Sequence, residues 1–314
     1  MPHPEPTGGI DCGWTTLVAG VHPSAERRGF SNDEAGRADL RAWLRERGVR
    51  RVILEHSGGC ERAARNELRG DGFDVHPVPP ARVRHFAKAV GTHGKTDPAD
   101  AVLLARFGAT LVEGPPPEAD PAREEMAGFV RLRAALVDKR ADLVKAARAA
   151  PEAAARLVEA ALTALAEAVA AVETATDRLV ASAPSVADRV ELLRTAPGVG
   201  QRTAVAVAVL MPELGRVSGG RAAALIGLAP YPDDSGDRSG PRHISGGRAD
   251  VRRALYMAVL GTAGRIGGAI GGLHVRLTAR GKPKKVVLVA CMHKLLVRLN
   301  AMLAAGETWK EEPA

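Results

Sequence analysis

The chain has 314 residues, a net charge of +8, 46% hydrophobic and 25% charged residues, and only 3% aromatics. Such a length accommodates about two domains, and such a balance excludes a disordered tail and leaves Ala, Val and Leu to build the core. Cys12, Cys60 and Cys291 are too few and too scattered for a disulfide framework or a zinc site. The alanine-rich stretch over 151–172 is broken by charges and residues 1–9 lack a secretory pattern, so a cytoplasmic protein with no membrane partner is expected.

The charge is uneven. From residue 191 onward eighteen Lys and Arg stand against nine Asp and Glu, an excess of +9 that leaves residues 1–190 at about −1. A basic region of this kind attracts polyanions, nucleic acid first among them, with a merely solvated basic surface as the alternative.

Residues 9–21 are apolar and end at His22-Pro23, predicting one strand running into a second. Residues 32–48 carry Leu40, Trp43 and Leu44 at helical spacing. Arg51-Val52-Ile53-Leu54-Glu55 predicts a short strand stopped by Ser57-Gly58-Gly59. A helix over 61–68, a strand over 73–78 and a basic helix over 81–90 follow. This alternation predicts an α/β layer with a mixed sheet.

Beyond Asp97 a helix is predicted to about residue 109, then a proline-rich linker over 114–117. Residues 121–183 are helix-forming, with Pro151 ending one helix and starting another. Leu132, Leu136, Leu143, Leu157, Leu162, Leu165, Val169 and Val172 suit two antiparallel helices, either as an intramolecular bundle or as an intermolecular coiled coil. A third region reads helix, turn, helix around Ala196-Pro197-Gly198-Val199-Gly200, then a helix over 220–228, a polar loop over 230–247, and helices to the end. A long polar loop inside a helical region is more often functional than a plain connection. Domains are expected at 5–113, 120–189 and 190–306.

Asp11 lies in the first strand and Glu55 closes another, where a charge beside a buried run is costly unless a cation meets it. Asp97 and Asp100 open a helix in Lys95-Thr96-Asp97-Pro98-Ala99-Asp100. Capping and the helix dipole explain each of them singly, but three-residue spacing also puts both near one face of the first turn. Four converging carboxylates repel one another, and divalent cations relieve the repulsion. An all-oxygen set selects a hard ion, Mg²⁺ or Mn²⁺. Two such ions about 4 Å apart would serve phosphodiester displacement, the chemistry of a nuclease or a strand-transfer enzyme.

Gly9-Ile10-Asp11, Val52-Ile53-Leu54-Glu55-His56-Ser57-Gly58-Gly59 and Lys95-Thr96-Asp97-Pro98-Ala99-Asp100-Ala101 resemble, in order and spacing, the DEDD motif of insertion-sequence family one-hundred-ten transposases, the group that includes the Piv DNA invertases. The resemblance implies a RuvC-like (RNase H-like) α/β N-terminal domain whose tetrad, Asp11, Glu55, Asp97 and Asp100, binds magnesium. It also implies a mainly α C-terminal domain with a helix-hairpin-helix-like turn, which would follow the long helical coiled-coil insert read from the apolar spacing over 121–183. Arg194-Thr195-Ala196-Pro197-Gly198-Val199-Gly200 resembles that turn. Leu225-Ile226-Gly227-Leu228-Ala229-Pro230 leads to Asp233-Asp234-Ser235-Gly236, where the family carries its serine nucleophile. Gly246 and Trp14 stand where family members often have Lys.

The resemblance thus implies a DNA recombinase in which Ser235 attacks the scissile phosphate to give a phosphoserine link, with a structured noncoding RNA pairing to donor and target DNA, and the long helices over 121–183, as a dimer arm, suggest a homodimer or homotetramer. Arg238, Arg242, Arg248, Arg252 and Arg253 would clamp phosphates. Gly198 and Gly200 would let backbone amides approach a DNA strand, a plain interhelical turn being the alternative. By residue type alone Ser235 is an ordinary turn serine, and Ser239 and Ser245 compete with it. Three other readings stay open: a junction resolvase using the tetrad and water, a site-specific invertase sharing every residue named, and a non-catalytic nucleic-acid-binding protein.

Overall fold

The computed structural model describes residues 5–56, 58–91, 97–112, 114, 120–231, 234–235, 238–240, 243–262 and 268–310, with the side chains of 97–99 and 231–239 outside the description. The chain divides into two compact units, Met1–Ala119 and Asp120–Ala314.

The first unit is built on a mixed five-stranded sheet. Its strands are β1 (Thr7–Cys12), β2 (Thr16–His22), β3 (Arg27–Ser31), β4 (Arg51–Glu55) and β5 (Asp74–Val78), in spatial order β3-β2-β1-β4-β5. β1 pairs antiparallel with β2 and β2 with β3, whereas β1–β4 and β4–β5 are parallel. Helices α1 (Glu34–Glu46) and α2 (Arg62–Gly70) follow β3 and β4; α3 (Pro80–Ala89) and α4 (Asp97–Leu111) follow β5. Alternation along each strand gives the sheet two buried faces. Ile10, Leu17, Ala19, Val52, Leu54 and Val75 form one core with Leu40, Trp43, Leu44, Ala64 and Leu68 of α1 and α2. Ile53 and Val78 form another with Val83, Phe86, Leu103, Leu104 and Phe107 of α3 and α4. The expected α/β layer is present, with one strand the pattern missed. β3 reads Arg-Arg-Gly-Phe-Ser and buries only Phe30, because a charged edge strand pairs on one side and needs little apolar content.

The second unit is helical. α5 (Pro121–Ala149), the short α6 (Glu152–Arg156) and α7 (Glu159–Ala181) form the long hairpin, followed by α8 (Pro184–Arg194), α9 (Gln201–Leu210) and α10 (Gly219–Leu225). Four two-residue strands come next: β6 (Pro230–Tyr231), β7 (Asp234–Ser235), β8 (Arg238–Ser239) and β9 (His243–Ile244). The last helices are α11 (Ala249–Leu260), α12 (Gly268–Ala279) and α13 (Lys284–Ala305). Met126, Ala127 and Val180 of the hairpin share one core with α8 to α13, and Arg123 Nη1 donates to the Ala208 carbonyl at 2.7 Å. Leu157, at the tip of the hairpin, is exposed.

Two expectations change here. The segment over 230–247 is not a plain loop: β6 pairs antiparallel with β9, and β7 with β8. The expectation of no membrane partner looked only to the alanine-rich stretch over 151–172, but α13, of 22 residues, holds an 18-residue window of mean hydropathy 1.7 and by length and composition alone could cross a membrane. Its apolar content has another explanation. Val287, Leu288, Cys291, Met292, Leu295, Leu296, Leu299 and Met302 are buried in the core, so α13 is the helix around which the unit packs.

Candidate active site

The register of β1 and β4 brings the first two carboxylates to the same place. Ile10 lies opposite Leu54 in a parallel ladder, so Asp11 and Glu55 are the next residues at the C-terminal ends of neighbouring strands. Side chains on a strand alternate. Asp11 therefore shares a sheet face with Gly9, and Glu55 shares one with Ile53, which lies in the core on the α4 side.

Helix α4 crosses that face at very short range. A Cβ on Gly9 would lie 2.2 Å from the Ala101 carbonyl oxygen and 2.3 Å from the Ala105 nitrogen. One on Gly20, opposite Gly9 in the ladder, would lie 2.7 Å from the Val102 nitrogen. At the other end of α4, a Cβ on Gly108 would lie 2.1 Å from Ile53 Cγ1 and 3.1 Å from Thr7 Cγ2. α4 thus runs antiparallel to β1, its start toward Asp11 and its end toward Thr7. Two strand residues span about 6.6 Å, and the four residues from Asp97 to Ala101 rise about 6 Å. The opening turn of α4, which holds Asp97 and Asp100, therefore belongs to the same sheet edge as Asp11 and Glu55.

The electrostatics of this edge are acidic. Burial pushes the Cys12 thiol well above its ordinary value, and neighbouring Cys60 and the charges of Asp11, Glu61 and Glu55 push it further. Glu61 is a buried acid the sequence reading did not single out. Its Oε2 accepts from the Gly59 amide at 2.8 Å, and its Oε1 stands 3.8 Å from His56 Nδ1. Only the fold brings it near Cys12, since it lies beyond the glycine loop that follows β4. Among the described residues no three acidic, His or Cys side chains are close enough to hold a metal; the Asp97 side chain is not among them. The donor chemistry fits a hard divalent cation: carboxylate oxygens, with the Cys12 thiol held protonated.

In the second unit Ser235 lies in β7, opposite Arg238 of β8, with Asp234 opposite Ser239. The side chains of Ser235 and Arg238, and all of Arg242, lie outside the description. The other proposed phosphate clamps are engaged within the fold. Arg248 makes a two-pronged pair with Glu213, both bonds 2.6 Å. Arg253 does the same with Asp138 at 2.8 Å. Arg252 donates to the carbonyls of Ile226 and Gly246, each at 2.7 Å. Gly246 itself has φ +67, a left-handed conformation in which a lysine would be strained.

The two turn glycines separate. Gly198 has φ +79, and a Cβ there would lie 2.6 Å from both the Ala258 carbonyl and Thr262 Oγ1, so its bareness serves the seating of the α8–α9 turn on α11. Gly200 precedes α9, with nothing within 4 Å of the place a Cβ would take.

A family model for the DEDD domain of IS110 transposases matches residues 9–150, and a second, described as "Transposase IS116/IS110/IS902 family", matches residues 190–271. The chain is also 28% identical over 309 residues to the pilin gene-inverting protein of Moraxella lacunata and to that of Moraxella bovis, each alignment covering 94% of both chains. The carboxylates of the sheet edge lie within the first match and the β7–β8 strands within the second. The chain belongs to the IS110 transposase family, enzymes that cleave and rejoin DNA and whose DEDD domain implies dependence on a divalent metal.

Proposed function

We propose that Asp11, Glu55, Asp97 and Asp100 form the metal-binding tetrad of a DNA recombinase and that Ser235 is its nucleophile. The observation that carries this reading is the close seating of α4 on Gly9 and Gly20, which sends its acidic first turn toward the ends of β1 and β4. Mg²⁺, or Mn²⁺ in its place, would neutralise charge that builds on the scissile phosphate. In cleavage, the Ser235 oxygen–phosphorus bond forms as the bond from phosphorus to one strand oxygen breaks, and the serine proton ends on that oxygen. Rejoining is the reverse attack by a strand hydroxyl, so the phosphodiester energy is conserved without ATP. Arg248, Arg252 and Arg253 hold the strands and helices around this segment, and Arg238 and Arg242 are the phosphate clamps.

The same reading gives the first unit a RuvC-like fold, consistent with its mixed sheet. It makes the α5–α7 hairpin a coiled-coil arm of a homodimer or homotetramer acting in the cytoplasm. A noncoding guide RNA selects donor and target DNA. The relatives' names favour inversion as a second outcome of the same chemistry, since inversion and insertion differ only in the arrangement of DNA sites.

The test is to trap the protein on a cleavable DNA end, digest it and map the nucleotide-bearing peptide by mass spectrometry. An adduct on Ser235 is expected. An adduct on Ser239 or Ser245 overturns the assignment, and strand cleavage by Ser235→Ala with no adduct favours hydrolysis by water.

A further inference from the structure

Beside the acidic edge of the first sheet stand two features that neither packing nor the tetrad uses. The chain has only three tryptophans, and one of them, Trp14 in the turn between β1 and β2, is 75% exposed. An indole left in water forgoes the burial that a protein short of aromatics would otherwise gain. The turn is well anchored: the Gly13 amide donates to the Thr16 carbonyl at 2.8 Å, and the Asn32 amide to the Thr15 carbonyl at 2.9 Å. The second feature is Arg62, exposed at the start of α2. A Cβ on Gly59 would lie 3.6 Å from its Nε, so the guanidinium folds back beside Gly59. Among the described residues no carboxylate pairs with it.

One side chain ties the two features together. Asn32 Nδ2 donates to the Gly13 carbonyl at 2.7 Å, one residue before Trp14, and to the Cys60 carbonyl at 3.0 Å, two residues before Arg62. The amide thus staples the β1–β2 turn to the loop after β4. Those are the two segments that continue from Asp11 and Glu55.

We propose that Trp14 and Arg62 form a subsite for an unpaired DNA nucleotide at the rim of the acidic edge, the indole stacking on the base and the guanidinium pairing with an adjoining phosphate, with Asn32 as the positioning residue. The chemistry fits the partner. Every base offers a π-face to an aromatic platform, so stacking needs no sequence code. The carboxylates next to it repel a phosphate, and a cation at the rim offsets that repulsion. A duplex keeps its bases stacked on one another and cannot use the indole, so the subsite selects strands opened near the point of cleavage. It rests on the tetrad reading for its place beside the scissile strand. Its test reads binding alone, so it can fail while the tetrad stands.

The experiment is titration of the full chain, without added metal, with a short single-stranded DNA oligonucleotide, its duplex form and a single-stranded RNA of the same sequence. Tryptophan fluorescence is compared with that of Trp14→Phe, whose remaining Trp43 and Trp309 give the background. Single-stranded DNA is expected to quench the Trp14 signal, and the duplex to leave it unchanged. Trp14→Ala should weaken single-strand binding about five- to a hundred-fold, while Trp14→Phe stays within about threefold of the parent. Arg62→Gln should lower the slope of log affinity against log salt by roughly 0.7. Equal quenching by duplex, unchanged affinity in Trp14→Ala, or a loss confined to RNA overturns the proposal. Circular dichroism of each variant separates loss of binding from loss of fold, and Trp14→Phe keeps the test valid should Trp14→Ala misfold.

Discussion

Replacing Gly9 by alanine tests how the acidic edge is assembled. The added Cβ would lie 2.2 Å from the Ala101 carbonyl oxygen, 2.3 Å from the Ala105 nitrogen and 2.7 Å from Leu104 Cβ, whereas ordinary contact begins near 3.4 Å. Two of those three atoms are backbone, so no rotamer change relieves the clash and α4 must lift from β1 by about 1 Å. Overpacking of this kind costs about 1–3 kcal/mol. Because Asp97 and Asp100 move with the helix, a displacement of about 1 Å should slow strand cleavage roughly 100-fold. Urea denaturation measures the first effect and relaxation of a supercoiled plasmid bearing the element's ends measures the second. Gly29→Ala is the control, since nothing lies within 4 Å of a Cβ there. A Gly9→Ala protein as stable as the parent would refute the packing argument. One that is destabilised yet cuts at the parental rate would refute the claim that α4 supplies catalytic carboxylates.

Asp11→Asn and Asp100→Asn should each abolish cleavage while leaving DNA binding in place, and chelation of divalent metal should do the same until Mg²⁺ is restored; full activity of either variant in a plasmid assay would contradict the tetrad. Gly198→Ala should destabilise the fold by about 1–2 kcal/mol from its left-handed backbone alone, with a further cost from its 2.6 Å clashes, whereas Gly200→Ala should have a small effect on urea stability. Burial by itself would raise the Glu213 carboxyl, but the hydrogen bond from Arg248, its own backbone amide and the charges of Arg248 and Arg123 hold it below its ordinary value. A carboxylate lowered on folding stabilises the protein above its unfolded pKa, and that stability is lost as pH falls through the folded one; Glu213→Gln should therefore flatten the dependence of stability on pH below about 4.5. DNA affinity should fall steeply as salt rises, because the basic excess of residues 191–314 meets phosphates, and binding that is flat between about 50 and 200 mM salt would argue against it.

Much of the first unit was legible because its periods are clean. Val52-Ile53-Leu54 between Arg51 and the glycine loop predicted a strand, which the fold buries on both faces, and Leu40, Trp43 and Leu44 predicted the inner side of a helix. β3 was not legible, since an edge strand pays for few apolar residues, nor was the pairing of β7 with β8, where two residues to a strand carry no period at all. The arginines were not legible for a similar reason. Arg248, Arg252 and Arg253 look alike in a list of basic residues, and only their neighbours in space, Glu213, Asp138 and the carbonyls of Ile226 and Gly246, show that each is tied into the fold.

The four carboxylates and their spacing were in the sequence, and so was the family they belong to. That Asp11 and Glu55 end adjacent parallel strands, and that α4 descends on the same face by way of Gly9 and Gly20, was decided by tertiary structure. Residue type fixes what a group can bind. Which groups share an edge depends on strand register and on how closely a helix can approach a sheet, and those are properties of pairs of segments far apart in the chain.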